Sequence, residues 1–272
     1  MSELQRIEGS FNYLVPTGET PVTYLYEPSK SEALRKGRYA AHMLPVTDGR
    51  PMTARLSLDT EGFALAHQVS ALRSFADETD IKSVYYLEME RLVKQVTGAP
   101  RVLVFDHTLR ANSPDGRAAL KAREPVRVVH NDYTPRSGPQ RIRDLLPAEA
   151  EDLLRRRYAF INVWKPIKGR VEEAPLGVCD ARSIAAQDWV ATELRYPDRT
   201  GEVYSVAFNP AHRWYYFPRM ALDEALLIKC YDSAEDGRAR FAAHSAFDDP
   251  TTPPGAPPRE SIEIRTIAFF AA

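Results

Sequence analysis

Apolar and polar positions alternate over short stretches in most of the chain after about residue 100, a pattern typical of β-strands. The segments are rich in β-branched and aromatic residues and are bounded by Pro, Gly, Asp or Asn. We predict strands over 101–110, 126–132, 158–167, 201–208, 213–220, 224–232, 238–247 and 260–270. A helix is predicted over 147–157, with Pro147 at its first position and arginines in its last turn.

The first hundred residues mix helical and strand-like periodicity. Apolar residues over 77–98 recur at helical spacing and stop at Gly98, so this stretch predicts a helix. The stretch 21–28 predicts a strand, whereas 61–72 fits a strand or a helix. The proline-rich stretch 247–260 is predicted to be a long ordered loop between two strands.

These patterns predict one domain over 1–272, mainly β with flanking helices. A mixed N-terminal layer over 1–100 would precede a core over 101–272. Many strands with few helices favour a double-sheet jelly roll or a related barrel. The mouth of such a barrel can hold a small ligand.

Composition argues against some classes of binding partner but does not identify a ligand. The net charge of −1 gives no bulk attraction to nucleic acid or anionic lipid, and no apolar run approaches the ~20 residues that span a membrane. The N-terminus lacks a secretory pattern, and the two cysteines, Cys179 and Cys230, favour buried thiols over a disulfide scaffold. We therefore expect a cytoplasmic protein with a small-molecule partner, without nucleic-acid or membrane contacts. Its oligomeric state is left open.

His130 and Asp132 end an apolar strand-like run and point to the same face, because strand side chains alternate. If Val128 shares that face, both polar side chains enter the barrel. A carboxylate there is costly unless it is paired or bound to a metal. The pair can chelate a divalent ion, and a second histidine would complete the two-His, one-carboxylate set that leaves open positions on Fe(II).

Five other histidines could supply that third ligand. They are His42, His67, His107, His212 and His244. His244 is favoured because antiparallel barrels bring distant strands together at one mouth. It also precedes a fitting partner sequence.

That partner sequence is "PPRESIEIRT", in which Arg259, Ser261, Glu263 and Arg265 share one strand face. Arg and Ser two residues apart can bind a carboxylate through a guanidinium fork and a hydroxyl group. Arg265 is the competing anchor, but it lies about 20 Å further along an extended strand. A hairpin through the loop would place Arg259 near His244 and Arg265 far away, so we choose Arg259.

The order H-x-D, His, R-x-S resembles the iron(II)/2-oxoglutarate oxygenase superfamily. The stretches "VVHNDYTP", "INVWKPIKG", "PLGVCDARSI" and "FPRMALDEALLIKCYDS" resemble its CmcJ/AsaB-like hydroxylase and desaturase branch, from about residue 10 to near the C-terminus. This branch includes cephalosporin hydroxylation proteins and fungal gibberellin-desaturase-like enzymes. The resemblance implies a double-stranded β-helix core of jelly-roll, cupin-like type.

By that resemblance, His130, Asp132 and His244 would bind Fe(II), and Arg259 and Ser261 would bind the distal carboxylate of 2-oxoglutarate. Dioxygen would take the remaining position on the metal. The implied reaction gives succinate and CO₂ and hydroxylates or desaturates a specialised metabolite at a C–H bond. Two alternatives are a cupin-type iron dioxygenase without a 2-oxo acid and a non-catalytic barrel that binds a small ligand.

Three residues are candidates for the pocket beyond the metal. Tyr133 follows the acidic ligand and either contacts a bound molecule or packs on the following turn. Asn162 and Trp164 share a strand face, which suits a pocket wall. Lys229 is a possible second anchor, although an ion pair with a nearby acid is favoured.

The run "VFDHTLR" supplies two less certain pocket residues, His107 and Arg110. Asp106 and His107 are expected to form a structural hydrogen-bonded pair. The alternative is that His107 lines the pocket alongside Arg110.

Overall fold

Two β-sheets and a few short helices form the protein, in a computed structural model that describes residues 4–25 and 35–271. The strands are β1 Arg6–Val15, β2 Val22–Tyr24, β3 Arg35–Lys36, β4 Arg38–Asp48, β5 Phe63–His67, β6 Arg101–Ala111, β7 His130–Asn131, β8 Tyr158–Pro166, β9 Leu176–Cys179, β10 Trp189–Arg195, β11 Thr200–Val206, β12 Trp214–Tyr216, β13 Glu224–Asp232, β14 His244–Ala246 and β15 Glu260–Phe269. The α-helices are α1 Glu78–Asp80, α2 Tyr86–Thr97, α3 Pro114–Leu120, α4 Ser137–Leu145 and α5 Ala150–Leu154. A π-helical turn, Ile81–Tyr85, joins α1 to α2.

The larger sheet has the strand order β1-β4-β12-β9-β14-β7-β11-β10-β2-β3, and the smaller sheet has the order β5-β13-β8-β15-β6. Most neighbouring strands are antiparallel, and strands far apart in sequence lie side by side. One core lies between the sheets, where Phe160 and Trp164 of the smaller sheet meet Val178 and Tyr215 of the larger one. This is the double-stranded β-helix that the resemblance implied.

A second core lies on the other face of the smaller sheet. Helix α2 packs Met89, Leu92 and Val93 against it, which confirms the helix predicted from spacing over 77–98. Gly98 ends the helix with φ of +71°, a left-handed conformation that glycine adopts without a steric penalty.

Strands from the N-terminal hundred residues extend both sheets, and α2 covers the outer face of the smaller sheet. Strands β1 and β4 pair over ten residues and join the larger sheet through β12, whereas β5 pairs with β13 at the edge of the smaller sheet. The strand predicted over 21–28 is present as β2, and its residues 26–28 lie outside the described residues. The ambiguous stretch 61–72 forms strand β5.

Four predicted elements are much shorter than expected, among them the strand predicted over 213–220, of which only β12 is present. Only β7 and β14 remain of the strands predicted over 126–132 and 238–247. Their other backbone groups bond to loops and isolated bridges; the N–H of Val129, for example, donates to the carbonyl of Asn12. Helix α5 begins at Ala150, so the placement of Pro147 in its first turn was wrong.

Candidate metal centre

Sheet register places two histidines from distant parts of the chain side by side. His244 of β14 pairs with His130 of β7 on one side and with Val178 of β9 on the other. Directly paired residues share a sheet face, and Val178 belongs to the core between the sheets. Both imidazoles therefore point inward, and their ring centroids are 4.4 Å apart.

Backbone carbonyl groups fix which nitrogen of each imidazole faces the site. Nδ1 of His130 lies 2.8 Å from the carbonyl oxygen of Val128, and Nδ1 of His244 lies 3.2 Å from that of Ala242. With Nδ1 donating in each case, Nε2 carries the free lone pair, which is the arrangement common in metal-binding histidines.

Asp132 completes the group with one free carboxylate oxygen. Its Oδ1 lies 3.7 Å from Nε2 of His130, while Oδ2 accepts hydrogen bonds from Asn162 Nδ2 at 2.8 Å and Arg265 Nε at 3.2 Å. One ligand atom from each of His130, Asp132 and His244 lies within 4.8 Å of the others. With Oδ2 occupied by two donors, Oδ1 is the oxygen available to a metal ion.

Burial and charge keep these groups in the protonation states that metal binding requires. Burial, followed by the neighbouring His244, lowers the pKa of His130 to about 3. Burial raises the pKa of Asp132, but Arg265 and then the imidazoles oppose it more strongly, and the net shift is downward. The site thus presents a neutral His130 imidazole and an ionised Asp132 carboxylate.

Arg259 and Ser261 lie buried at the start of β15, on the inward face that carries Glu263 and Arg265. Arg259 donates through Nη1 to the carbonyl oxygen of Ala174, and its Cζ lies 5.4 Å from the ring centroid of Trp164. Burial, with Arg110 and Arg127 nearby, lowers its pKa to about 9. Glu173 and Glu263 offset part of this effect, and a buried cation without a direct ion pair among the described residues favours an anionic ligand.

Several buried polar atoms here have no hydrogen-bond partner among residues 4–25 and 35–271. They include Nε2 of His244, Nε of Arg259 and Oγ of Ser261. Unpaired buried polar atoms are costly, and these fit a metal ion bound at His244 and an anion bound at Arg259 and Ser261.

Comparison with known proteins gives the family. A family model described as "Oxidoreductase/YMDC permease-like domain" matches residues 11–269. The hydroxylase/desaturase efuI of Hormonema carpetanum is 34% identical over 94% of this chain and 96% of its own length. The Fe(II)/2-oxoglutarate-dependent dioxygenase nvfI of Aspergillus novofumigatus is 32% identical over 90% of each chain.

The chain belongs to the family of Fe(II)/2-oxoglutarate-dependent hydroxylases and desaturases. A solved structure of the iron and alpha-ketoglutarate-dependent endoperoxidase NvfI matches it with a TM-score of 0.88 and 29% identity, covering 100% of both chains. Fold and family thus agree with the resemblance seen in the sequence. Among the described residues, no helix is long and apolar enough to cross a membrane.

A cavity lies next to the candidate metal centre. The cavity has a volume of about 1160 Å³ and is lined by His130, Asp132, Tyr133 and Arg265 at its inner end. Val128 also lines it, as expected if it shared the face of His130. A cavity of this size can enclose a sizeable organic ligand.

The three residues predicted to line the pocket lie in different places. Tyr133 lines the cavity and packs on Phe160, with ring centroids 4.1 Å apart. Asn162 contacts Asp132 instead of the cavity, and Trp164 lies in the core beside Arg259. Asn162 and Trp164 do face inward together, as the alternation predicted.

Arg265 was placed wrongly by the sequence analysis. It was expected far from the metal ligands, yet its guanidinium contacts Asp132 and also donates to Asp106, Thr108 and Glu263. The reason is the register of the smaller sheet, which pairs Arg265 with Asn162 and brings both to the end of β7. The sequence analysis had compared positions along β15 only. The metal ligands come from the other sheet, so that comparison did not give the distance between Arg265 and the metal centre.

Asp106 and His107 do not form the expected pair. Asp106 binds Arg265, while Nδ1 of His107 lies 2.8 Å from the phenol oxygen of Tyr86. Adjacent strand residues face opposite sides, so their side chains diverge. Both residues line the cavity together with Arg110, as the alternative for His107 and Arg110 predicted.

Lys229 has acidic partners, as the ion-pair interpretation predicted. Its ammonium group, 1% exposed, contacts Asp59 and Asp232. It is therefore engaged outside the metal centre and was wrongly considered as an anchor.

The remaining histidines lie outside the metal centre. His212 is buried between Tyr13 and Asp188, His42 stacks on Phe208, and His67 is exposed beside Asp223.

One supporting residue, Asn131, was missed by the sequence analysis. Its amide donates to the backbone carbonyls of Tyr133 and Cys230, which ties the end of β7 to β13. The middle residue of an H-x-D motif faces away from the metal, so a polar residue there was a signal for such a tie.

Proposed function

We propose that His130, Asp132 and His244 bind Fe(II), and that Arg259 and Ser261 bind the distal carboxylate of 2-oxoglutarate. The observation that carries this proposal is the convergence of three ligand atoms within 4.8 Å around a buried, unpartnered His244 Nε2. The two-His, one-carboxylate set is the usual donor set of non-haem Fe(II) oxygenases.

When bound, Fe(II) and 2-oxoglutarate supply dioxygen activation with release of succinate and CO₂, and so remove hydrogen from an unactivated C–H bond. The protein orients the ligands: Val128 and Ala242 fix the imidazole tautomers, and Arg265 holds the Asp132 carboxylate. The substrate is a small molecule, proposed to be a specialised metabolite, that enters the cavity beside Tyr133. Hydroxylation and desaturation start from the same abstraction.

The two alternatives are less well supported. A cupin-type dioxygenase without a 2-oxo acid leaves the buried Arg259 Nε and Ser261 Oγ without a function. A non-catalytic barrel leaves His244 Nε2 unexplained in the same way. Formation of succinate would exclude the first alternative, and uptake of a metal ion would exclude the second.

The test is anaerobic addition of Fe(II) and 2-oxoglutarate, followed by visible spectroscopy. Chelation of Fe(II) by the 2-oxo acid gives a metal-to-ligand charge-transfer band, and we expect one for the wild-type protein. His244→Ala removes an iron ligand and is expected to abolish the band.

His67→Ala is the matched control, since His67 is exposed and bonded to Asp223 away from the centre. It is expected to keep the full band. An undiminished band in His244→Ala would remove His244 from the ligand set, and no band in the wild-type protein would reject the proposed function.

A further inference from the structure

Arg141, on helix α4, lines the same cavity as the metal-centre residues His130 and Asp132. It is half-buried, and its Cζ lies 5.2 Å from the ring centroid of Phe105. Phe105 packs on Phe160, and Tyr133, the residue that follows Asp132, packs on the same Phe160 ring. Ring contacts thus link the cation of Arg141, through Phe105 and Phe160, to Tyr133 at the metal-centre end of the cavity.

Arg141 has no carboxylate partner among the residues that the structure describes, unlike two other arginines of the same region. Arg136 pairs with Glu202, and Arg143 pairs with Glu151. A guanidinium held over an aromatic face keeps its in-plane N–H donors free for a planar acceptor. Arg141 is thus a partly desolvated, oriented cation whose donors are available.

The acidic residues of the cavity do not compete for it. Asp106 and Asp132 bind Arg265, and Glu202 accepts a hydrogen bond from Thr134. Glu78 pairs with Lys82. Asp77 accepts a hydrogen bond from the backbone N–H of Thr79, and Asp144 accepts one from Gln140. Among the described residues, no acid that lines the cavity forms an ion pair with Arg141.

Apolar side chains also line this cavity. Phe105, Leu109 and Ile81 line one side of the cavity, and Leu194 lines another. This lining suits a ligand that combines an apolar body with an anionic group.

We propose that Arg141 binds a carboxylate of the substrate, so that the enzyme acts on apolar carboxylic acids. The apolar body lies along the Phe105 wall and presents its C–H bond to the metal centre. The inference rests on the proposed function, because it concerns the substrate of that same site.

The test uses 1-pyrenebutyric acid and its methyl ester, a fluorescent pair of nearly equal size that differs in charge. Both are titrated into protein loaded anaerobically with Fe(II) and 2-oxoglutarate. The wild-type protein is expected to bind the acid about tenfold or more tightly than the ester, as a charge-assisted hydrogen bond provides.

Arg141→Gln is expected to remove most of this preference, and Arg141→Lys to retain part of it. Arg143→Gln, on the same helix and paired with Glu151, is the matched control and is expected to bind like the wild type. Equal binding of acid and ester by the wild type, or a preference that survives in Arg141→Gln, would overturn the proposal.

The charge-transfer band distinguishes a failure of this inference from a failure of the proposed function. Arg141→Gln is expected to form the band with unchanged affinity for 2-oxoglutarate. A band that appears with weakened 2-oxoglutarate binding would assign Arg141 to the cosubstrate and overturn the inference. Absence of the band from the wild-type protein would instead reject the proposed function.

Discussion

At the scale of single residues, two arginines on one face of β15 have different environments. Arg259 is buried with an unpartnered Nε, whereas Arg265 donates to Asp132 and three other acceptors. Arg259 is thus free to bind a cosubstrate, and Arg265 is committed to the metal ligand. Contacts, and not residue type, distinguish their functions.

This difference predicts that the two arginines affect different binding steps. Arg259→Gln is expected to raise the dissociation constant of 2-oxoglutarate about tenfold or more, because a charge-assisted hydrogen bond is lost. Arg265→Gln is expected to weaken Fe(II) binding by about 10–100-fold, the usual effect of removing a group that orients a ligand. Anaerobic titrations of metal and of 2-oxoglutarate measure the two constants separately.

Arg101→Gln serves as the control, since Arg101 is exposed and pairs with Glu149 away from the metal centre. It is expected to change neither constant. If Arg265→Gln weakened 2-oxoglutarate and Arg259→Gln did not, the anchor assignment would be reversed.

At the scale of elements, the metal centre depends on close packing of β9 beside β14. Gly177 pairs with Ser245, the neighbour of His244. A Cβ atom at Gly177 would lie 3.0 Å from Phe11 and 3.2 Å from Phe247. These rings are buried in the core of the larger sheet and have little room to move.

Gly177→Ala is therefore expected to lower the free energy of unfolding by about 1–3 kcal/mol, the range for overpacked cores. Denaturant unfolding monitored by circular dichroism measures the change. Gly201→Ala is the control, because its nearest contact would be an ordinary 3.5 Å, and a change within about 0.5 kcal/mol is expected. Equal stability of the two variants would contradict the packing argument.

At the scale of the whole molecule, buried charges away from the metal centre link stability to pH. Asp232 is fully buried and binds Lys229 and Arg157. Burial raises its pKa, but Arg157 and Lys229 oppose this more strongly, so the net shift is downward. Its contribution to stability is present above the unfolded-state pKa of about 4 and is lost as pH falls through the folded-state value.

We therefore expect stability to fall as the pH is lowered below about 4. Asp232→Asn is expected to cost about 3–5 kcal/mol at neutral pH, since it leaves buried Lys229 poorly compensated, and to flatten this acid dependence. Urea unfolding between neutral and acidic pH measures both effects. Asp198→Asn, at an exposed turn, is the control and is expected to follow the wild type; an acid dependence unchanged in Asp232→Asn would contradict the assignment.

The sequence by itself determined the features that depend on local backbone geometry. Strand alternation placed His130 and Asp132 on one face and Arg259 and Ser261 on another inward face, and helical spacing predicted the helix over 77–98. Period and side-chain direction are properties of a single strand or helix, so they are present in the chain before it folds.

Only the tertiary structure decided which distant residues meet. The register of β14 against β7 brings His244 to His130 across more than a hundred residues, and the register of β15 against β8 brings Arg265 to the Asp132 carboxylate. The packing of α4 against β11 likewise places Arg141 at the wall of the metal-centre cavity. These contacts depend on strand pairing and sheet packing between remote segments, and neither has a signature in local periodicity.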